Sequence, residues 1–374
     1  MSGGAATGRD ALALPFAGFG DAVAIVDPDG RAATYAELAR GVEERRAQLR
    51  AAGLRPAQAV LLEGDYGIEA CAWLFALWRE GCVVVPVTPG AAAPAGTYAA
   101  VADVSWRLDA ASGRIEAAPG ASAPPLYARL AETGAPGLVI FSSGTSGVPK
   151  GALHDVTRLA SKFARGGKAM RTLGFLLFDH ISGVDTLLYT LFSGGTLVCL
   201  PSRNPAVVCR TIAAHRVEVL PTAPTFLNML LMSEELDRHD LSCLKIVTYG
   251  GETMPQGVLD RVAEAFPQAR IVQKYGASEF GALRARSAGD ASRWISFDPR
   301  EVAWRVRDGL LELRVATAML GYLNAPSPFT EDGWQRTGDR VEVEGDRLRI
   351  LGRDSDLINV GGQKVFPAEI EDAL

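Results

Sequence analysis

The sequence of 374 residues is poor in side chains that bind transition metals or form disulfides, with four histidines and five cysteines. The cysteines include no CxxC pair and have no histidine at ligand spacing. This pattern indicates neither a zinc site nor a disulfide framework. Any metal is expected to be a hard cation bound by oxygen atoms.

Net positive charge and long apolar runs are also missing. The 38 Lys and Arg against 43 Asp and Glu leave a net charge of −5, which argues against nucleic acid as a partner. The longest apolar runs, such as 70–78 and 173–178, are about half the length that a bilayer span requires, and no signal sequence opens the chain. These absences predict a cytoplasmic protein with no membrane span.

The first part of the chain has the pattern of an α/β protein. A hairpin is predicted around residues 27–30, and Thr34 with Glu37 forms a capping box that opens a helix ending near Gly53. A strand at 59–62, a helix at 67–80 and a strand at 82–87 then predict a βαβ unit. The Ala-, Pro- and Gly-rich stretch 90–130, with a hairpin near residue 113, is interpreted as a connection.

Further along, strands at 137–141, 196–200, 217–221 and 244–249 alternate with helical stretches, which predicts a parallel sheet. From Trp294 the period changes to two, with hairpins at 301–315 and 340–351. The fold class is therefore α/β, with two parallel-sheet subdomains that carry helices on the sheet faces and one small β-rich subdomain. Their expected bounds are about 11–130, 131–290 and 291–355.

The most informative segment is a hydroxyl- and glycine-rich loop with one lysine, which follows the strand 137–141. Hydroxyls supply donors, glycines let the backbone approach an anion and the lysine adds a charge, as in a phosphate-binding loop. It is not a Walker A loop, since Lys150 is followed by Gly151. The residues are Ser142, Ser143, Gly144, Thr145, Ser146, Gly147 and Lys150.

Three later segments also carry polar side chains at strand ends or turns. Tyr275 to Glu279 follow the strand 271–273, Asp339 follows a glycine after a turn, and Arg353 with two acids lies between β segments. The carboxyl ends of parallel strands bind ligands in α/β sheets, and an aspartate can accept two hydroxyl groups of a ribose. Each segment alone is also compatible with a strand-end cap or a charged turn.

In this order and spacing, the segments resemble the adenylate-forming superfamily of acyl-CoA and aryl-CoA synthetases, peptide-synthetase adenylation domains and firefly luciferase. The match runs from about residue 20 to the last residue. The resemblance implies that residues 142–150 wrap the β and γ phosphates of ATP, that Ser278 touches the α-phosphate and that Glu279 binds Mg²⁺. It implies that Tyr275 flanks the adenine with Gly250, Gly251 and Glu252, that Asp339 holds the ribose hydroxyls and that Arg353 contacts ribose or phosphate.

The segment 178–183 matches the superfamily motif Phe-x-His-x-x-Gly, which places His180 beside the acid substrate. Without the resemblance, His180 on an apolar run is more often a core histidine. The expected pocket contains Asp179, His180, Gly183, Val184, Gly276 and Ala277. With few obvious charges there, an uncharged fatty or aromatic acid is expected, unless Asp179 points into the pocket to pair with an amino group.

The resemblance implies ATP-dependent activation of a carboxylic acid to an acyl-adenylate, with release of pyrophosphate and transfer to coenzyme A or a phosphopantetheinyl carrier protein. Lys150, Mg²⁺ on Glu279 and helix amides would supply the positive charge, with His180 beside the acid. The alternatives are an amino-acid or aminobenzoic-acid adenylation domain and a non-catalytic adenylate-binding protein. An acyl carrier protein is a candidate partner, and a homodimer is left open.

The chain departs from the superfamily at its end, because the lysine of the mobile lid domain is not among the 374 residues. Asp356 matches the hinge, so residues 1–355 correspond to the large domain and 356–374 to the first part of the lid. Gly361, Gly362 and Lys364 match the loop used in the thioester-forming pose, although Lys364 is equally a solvated loop lysine. A chain shortened for crystallisation is favoured over a lid supplied in trans or a relic, and slow turnover is expected for this chain alone.

Overall fold

The computed structural model describes residues 12, 18–118, 120, 124–142, 148–287, 292–360, 363–367 and 370. The chain divides into two compact units, unit 1 with residues 1–201 and 317–327 and unit 2 with residues 202–316 and 328–374. Within the described ranges, none of the helices combines the length and the hydropathy that a bilayer crossing requires.

The first ten strands belong to unit 1. They are β1 (Val23–Val26), β2 (Ala32–Thr34), β3 (Ala59–Glu63), β4 (Val83–Val87), β5 (Trp106–Asp109), β6 (Ile115–Ala117), β7 (Gly137–Ser142), β8 (Lys150–Asp155), β9 (Arg171–Leu173) and β10 (Thr196–Val198). Unit 2 continues with β11 (Val219–Thr222), β12 (Ile246–Tyr249), β13 (Arg270–Gln273), β14 (Tyr275–Ala277), β15 (Gly281–Leu283), β16 (Ala285–Ser287), β17 (Trp294–Phe297), β18 (Val302–Arg307) and β19 (Leu310–Val315). The strand β20 (Gly321–Tyr322) returns to unit 1, and β21 (Gln335–Glu344), β22 (Arg347–Arg353), β23 (Ile358–Val360) and β24 (Gln363–Val365) complete unit 2.

The helices of unit 1 are α1 (Tyr35–Ala51), α2 (Ile68–Arg79), α3 (Ala95–Val101), α4 (Pro125–Thr133), α5 (Val156–Ser161) and α6 (Ile181–Phe192). Those of unit 2 are α7 (Pro205–His215), α8 (Pro224–Met232), α9 (Glu235–Arg238) and α10 (Gln256–Ala265), followed by a short 3-10 helix, Asp354–Asp356. The predicted capping box of α1 is confirmed, because Thr34 and Glu37 bond reciprocally.

The main sheet of unit 1 has the order β20-β8-β7-β4-β3-β5-β6. Its central strands β7, β4, β3 and β5 are parallel, so their carboxyl ends meet at one edge. The ends of β4 and β7 therefore lie side by side at that edge. A second group of strands in unit 1, β9, β10 and β1, is also parallel, with β2 antiparallel to β1.

Two predictions about this part of the chain are wrong. The stretch 90–130 is more than a connection, because its strand β5 joins the main sheet beside β3. The strand at 137–141 does not form one sheet with the later predicted strands, because β7 pairs with β4 and β8. The expected boundary near residue 130 consequently cuts through a single sheet, since β4 and β7 lie on its two sides in the sequence.

Unit 2 contains a parallel group, β11, β12 and β13, and a six-stranded antiparallel sheet of order β16-β17-β22-β21-β19-β18. The predicted hairpins are confirmed, with β18 paired to β19 and β21 paired to β22. A core of Tyr275, Phe280, Leu311, Leu313 and Leu348 covers one face of the antiparallel sheet. This β-rich part contains Asp339 in β21 and Arg353 in β22.

Candidate functional site

The predicted phosphate loop connects two antiparallel strands. Ser142 at the end of β7 lies opposite Lys150 at the start of β8, and residues 143–147 lie outside the described residues. Lys150 begins β8, which is antiparallel to β7, so among the described residues no helix starts directly at Lys150.

The base of this loop is held by a residue that the sequence analysis did not identify. The side chain of Asn324 accepts the Gly151 N–H at 3.0 Å and donates to the Pro149 carbonyl at 2.9 Å. Nearby, the Lys150 ammonium lies 5.8 Å from the centre of the Tyr322 ring, a favourable cation–π distance. Asn324 therefore fixes the backbone on both sides of Lys150, and Tyr322 contacts its ammonium. No local sequence pattern links Lys150 to residues so far away in sequence.

The segment 178–183 of unit 1 is attached to the same sheet edge. The Thr88 hydroxyl and N–H, which follow β4, donate to Asp179 Oδ2 at 2.7 and 3.0 Å. Asp179 Oδ1 is buried and has no hydrogen-bond partner among the described residues. Since β7 ends at the same edge of the sheet, this bond places Asp179 at the edge where the described end of β7 lies.

The residues of this segment differ in exposure. His180 is exposed at the start of α6, whereas Val184 is 1% exposed and belongs to the unit 1 core. A Cβ atom on Gly183 would lie 1.9 Å from the Leu177 carbonyl oxygen and 2.6 Å from the Tyr66 hydroxyl. Val184 therefore packs in the unit 1 core, and the close contacts at position 183 require a glycine.

Asp185, an acid on α6, forms an ion pair inside unit 1. The Lys162 ammonium binds Asp185 Oδ2 at 2.7 Å, and the two side chains are 14% and 6% exposed. A buried ion pair of this kind holds an element in place and leaves no net charge.

In unit 2, the predicted adenine-binding segment follows β12. Glu252 is exposed and accepts the Thr225 N–H at 3.0 Å and the Thr225 hydroxyl at 2.6 Å, so it caps the first turn of α8. A Cβ atom on Gly250 would lie 2.5 Å from the Lys274 carbonyl oxygen, and Gly251 has φ +83°. The segment is thus held by the close packing at Gly250, the left-handed backbone of Gly251 and the hydrogen bonds of Glu252.

Residues 275–279 form a hairpin with the strand that follows. Gly276 and Ala277 lie in β14, opposite β15. A Cβ atom on Gly276 would lie 2.6 Å from the Gly281 carbonyl oxygen, and Ala277 packs against the unit 2 core. Both predicted pocket residues therefore have a packing role, whereas Ser278 and Glu279 occupy the half-buried turn.

Four polar residues, which we call the Asp339 cluster, meet in unit 2: Tyr275, Thr337, Asp339 and Arg353. The Tyr275 hydroxyl donates to Asp339 Oδ2 at 2.5 Å, and Arg353 Nε lies 3.0 Å from Asp339 Oδ1. The Asp339 N–H donates to the Thr337 hydroxyl at 3.1 Å. Asp339 is opposite Arg353 in the β21–β22 register, so one hairpin holds both of these residues.

The electrostatics of the cluster centre on one buried carboxylate. Burial raises the pKa of Asp339 above its ordinary value, while Arg353 and the Tyr275 hydrogen bond oppose that rise and Glu279 and Asp356 add to it. Burial also raises the pKa of Tyr275, so this hydroxyl stays protonated and donates. The predicted nucleoside residues Tyr275, Asp339 and Arg353 are thus brought together, and Glu279 acts on the same carboxylate.

The remaining predicted residues lie near the end of the chain. Asp356 ends the 3-10 helix that follows β22, and Lys364 lies in β24, paired in register with Asn359. Gly361 and Gly362 lie outside the described residues. Among the residues the structure describes, no group of three His, Cys, Asp or Glu side chains could hold a metal. Glu279 carries a carboxylate, a type of ligand that Mg²⁺ prefers.

Comparison with known proteins identifies the family. The profile of the AMP-binding enzyme family, described as "AMP-binding enzyme", matches residues 14–105 and 97–296. The chain belongs to this family. Among curated family members, it is 28% identical to 4-coumarate–CoA ligase-like 6 of Oryza sativa subsp. japonica over 86% of this chain and 65% of that protein. It is 26% identical to the long-chain-fatty-acid–CoA ligase FadD13 of Mycobacterium tuberculosis over 91% of this chain and 77% of that protein.

Solved structures show the same fold. ATP-bound MatB from Rhodopseudomonas palustris superposes with a TM-score of 0.80 at 22% identity, covering 97% of this chain and 82% of that chain. MenE from E. coli superposes with a TM-score of 0.77 at 22% identity. The chain spans 65%, 66% and 47% of the lengths of three plant CoA ligases or ligase-like proteins.

Proposed function

We propose that this chain activates a carboxylic acid with ATP. A carboxylate oxygen of the acid forms a bond to the α-phosphorus, the bond from that phosphorus to the bridging oxygen breaks, and pyrophosphate leaves with the electron pair. The product is an acyl-adenylate. Because negative charge builds on an already anionic centre, this chemistry needs positioned donors and cations more than an acid or a base.

The observation that carries the proposal is the Asp339 cluster. A carboxylate that is 7% exposed and oriented from both sides is suited to bind neighbouring hydroxyl groups, such as those of a ribose. Each carboxylate oxygen has two lone pairs, so Asp339 can accept from Tyr275 and Arg353 and still accept from a ligand. Membership of the AMP-binding enzyme family supports the same assignment.

The hairpin loop between β7 and β8 is proposed to bind the phosphates. Ser142 and Lys150 face each other at its base, and Asn324 fixes the backbone on both sides of Lys150. Glu279 and the phosphate oxygens would hold Mg²⁺, which neutralises phosphate charge when bound. Ser278 is proposed to contact the α-phosphate, and Gly250, Gly251 and Glu252 the adenine.

The partners of the acidic side chains favour an uncharged acid as substrate. Asp179 is bonded to Thr88, Asp185 to Lys162 and Glu252 to Thr225. Asp179 Oδ1 is buried, so an incoming amino group cannot reach it without a rearrangement. Since an ammonium group without a partner is costly to bury, we expect a fatty or aromatic acid next to His180.

Coenzyme A, or the phosphopantetheine of a carrier protein, is the proposed acceptor of the acyl group. The support is that curated relatives of this chain are named as a 4-coumarate–CoA ligase and a long-chain-fatty-acid–CoA ligase. The activation of the acid and the transfer to the acceptor are separate steps, because the acyl-adenylate is complete before a thiol attacks it.

The proposal is tested by thermal unfolding with stable sulfamoyl-adenosine mimics of three acyl-adenylates: fatty, aromatic and α-aminoacyl. A ligand that binds only the folded chain raises its unfolding midpoint by mass action. We expect stabilisation by AMP, and more stabilisation by the fatty or aromatic mimic. Stabilisation by the aminoacyl mimic alone would overturn the substrate class, and no stabilisation by any adenylate would overturn the function.

A further inference from the structure

The side chain of His180 makes no hydrogen bond within the described part of the chain. It is exposed at the start of α6, and it does not cap that helix. Its backbone is bonded: the His180 N–H donates to the Leu177 carbonyl at 3.1 Å, and the His180 carbonyl accepts the Val184 N–H at 3.1 Å. The place of the imidazole therefore depends on what holds the residues on either side of it.

Apolar packing holds the segment on both sides of His180. Phe178 is 0% exposed, and its ring centre lies 5.3 Å from the Tyr66 ring in an edge-to-face contact. Gly183 approaches the Leu177 carbonyl and the Tyr66 hydroxyl so closely that no side chain fits there. Apolar burial is non-directional, so this packing anchors the segment without orienting a polar residue within it.

Asp179, directly before His180, supplies a directional contact. Its Oδ2 accepts the Thr88 hydroxyl at 2.7 Å and the Thr88 N–H at 3.0 Å, and Thr88 is 5% exposed. Hydrogen bonds to a carboxylate are stronger than those between neutral groups. Two donors of one residue that meet at one oxygen therefore restrict both the distance and the direction of Asp179.

This contact joins two parts of unit 1 that are 91 positions apart in sequence. Thr88 follows β4 of the main sheet, whereas Asp179 belongs to the segment that connects β9 of the second group of strands to α6. The helix α6 begins two residues after Asp179. The bond therefore fixes the start of α6 relative to the edge at which β4 and β7 end.

The same bond leaves Asp179 little capacity to contact a ligand. Both Thr88 donors meet at Oδ2, and Oδ1 is buried. An acid placed in this way acts through the backbone that it holds, and the next residue on that backbone is His180.

We propose that Thr88 and Asp179 are positioning residues for acid binding: their bond sets where His180 lies at the start of α6. The inference rests on the proposed function, since it assumes that the acid lies next to His180. Loss of the bond therefore weakens the binding of the acyl group and leaves the binding of the nucleoside unchanged.

The test measures, by calorimetry, the binding of 5′-sulfamoyladenosine and of its decanoyl and benzoyl derivatives to the full chain and to Thr88→Val. The dissociation constant of 5′-sulfamoyladenosine divided by that of the tighter derivative, which we call the acyl ratio, isolates the contribution of the acyl group. We expect Thr88→Val to lower the acyl ratio about tenfold, as for a lost hydrogen bond to a charged group, with an unchanged affinity for 5′-sulfamoyladenosine. Thr88→Ser, which keeps both donors, should restore the ratio.

Thr157 provides a matched control at the opposite edge of the main sheet. Its hydroxyl and N–H donate to Asp155 Oδ1 at 2.6 and 2.8 Å, and Asp155 lies opposite Gly137 at the start of β7. Thr157→Val therefore breaks the same kind of bond and should leave the acyl ratio unchanged. In a His180→Ala background, Thr88→Val should have little further effect on the ratio, because it acts through His180.

If Thr88→Val does not fold, Asp179→Ala should lower the acyl ratio in its place. An unchanged ratio in the variant that folds would overturn the inference, and an equal loss of affinity for all three ligands would make the bond merely structural. Failure of the unaltered chain to bind 5′-sulfamoyladenosine would overturn the proposed function itself. Binding of 5′-sulfamoyladenosine as tightly as of both derivatives would overturn the placement of the acid next to His180, and this inference with it.

Discussion

Two motif segments of this chain, residues 178–185 of unit 1 and the Asp339 cluster of unit 2, are built in opposite ways. In the first, Asp179 and Asp185 bind Thr88 and Lys162, which hold the backbone in place. In the second, Tyr275 and Arg353 both contact the carboxylate of Asp339, which lies in a strand and caps no helix. Asp339, whose partners orient its carboxylate, is therefore a better candidate for a ligand contact than Asp179 and Asp185, whose partners fix the backbone.

The glycines of the two segments, Gly183 and Gly338, also differ in what they allow. Gly183 lies in a motif, yet the space for a side chain is filled by the Leu177 carbonyl and the Tyr66 hydroxyl. In the Asp339 cluster, Gly338 has φ +78°, and a Cβ atom there would meet only Arg353, at 3.9 Å. The first glycine allows close packing, whereas the second allows a backbone conformation that turns Asp339 into the cluster.

The largest expected effect comes from filling the space at Gly183. In Gly183→Ala the new Cβ atom would overlap the Leu177 carbonyl oxygen, so we expect the free energy of unfolding to fall by about 4 kcal/mol or more. Chemical denaturation measures the loss. The control is Gly257→Ala in α10, which has open space around it and should gain about 0.5–1 kcal/mol. Equal stability of the two variants would show that residues 178–185 do not depend on tight packing.

A smaller loss is expected from breaking the ion pair of α6. Lys162→Met leaves the buried Asp185 carboxylate without its cation and should reduce the free energy of unfolding by about 3 kcal/mol. The double variant Lys162→Met/Asp185→Leu should recover most of that loss, because no uncompensated charge remains. AMP affinity should be unchanged in the double variant. A nucleotide-binding defect there would mean that this pair belongs to the site after all.

The smallest effect is expected from the two threonine–carboxylate contacts, one in each unit. Thr88→Val removes the partly buried hydroxyl bond to Asp179 and should cost about 1–3 kcal/mol. Thr225→Val removes the matching bond to Glu252, where both residues are exposed, and should cost less than about 1 kcal/mol. Thermal unfolding of both variants measures the difference. A larger loss for Thr225→Val would contradict the view that unit 1 depends more on these bonds.

Local structure was predictable where one short segment contains the whole signal. The capping box of Thr34 and Glu37, the hairpin turns at Gly309 and Gly345 and the βαβ unit from β3 to β4 are confirmed. Long-range pairing was not predictable. The contacts Thr88–Asp179 and Gly151–Asn324 join residues 91 and 173 positions apart, and nothing in either segment alone indicates its partner.

The candidate site was predictable as a set of residues and not as a set of contacts. The motifs selected Tyr275, Asp339 and Arg353, which the fold brings together. They also selected Val184, which lies in the core, because an apolar residue in a helix looks the same from the sequence whether it lines a pocket or packs inside. Burial depends on which elements cover that face, and a single sequence does not contain that information.

The central claim is that Asp339 binds the nucleotide, and calorimetric titration with AMP tests it most directly. The measurement compares the unaltered chain, Asp339→Asn and the control Asp346→Asn, which changes an exposed acid in the β21–β22 turn. We predict that Asp339→Asn lowers AMP affinity about tenfold to a hundredfold, with little change in the unfolding midpoint, and that Asp346→Asn binds like the unaltered chain. Equal AMP affinity in Asp339→Asn and the unaltered chain would contradict the account.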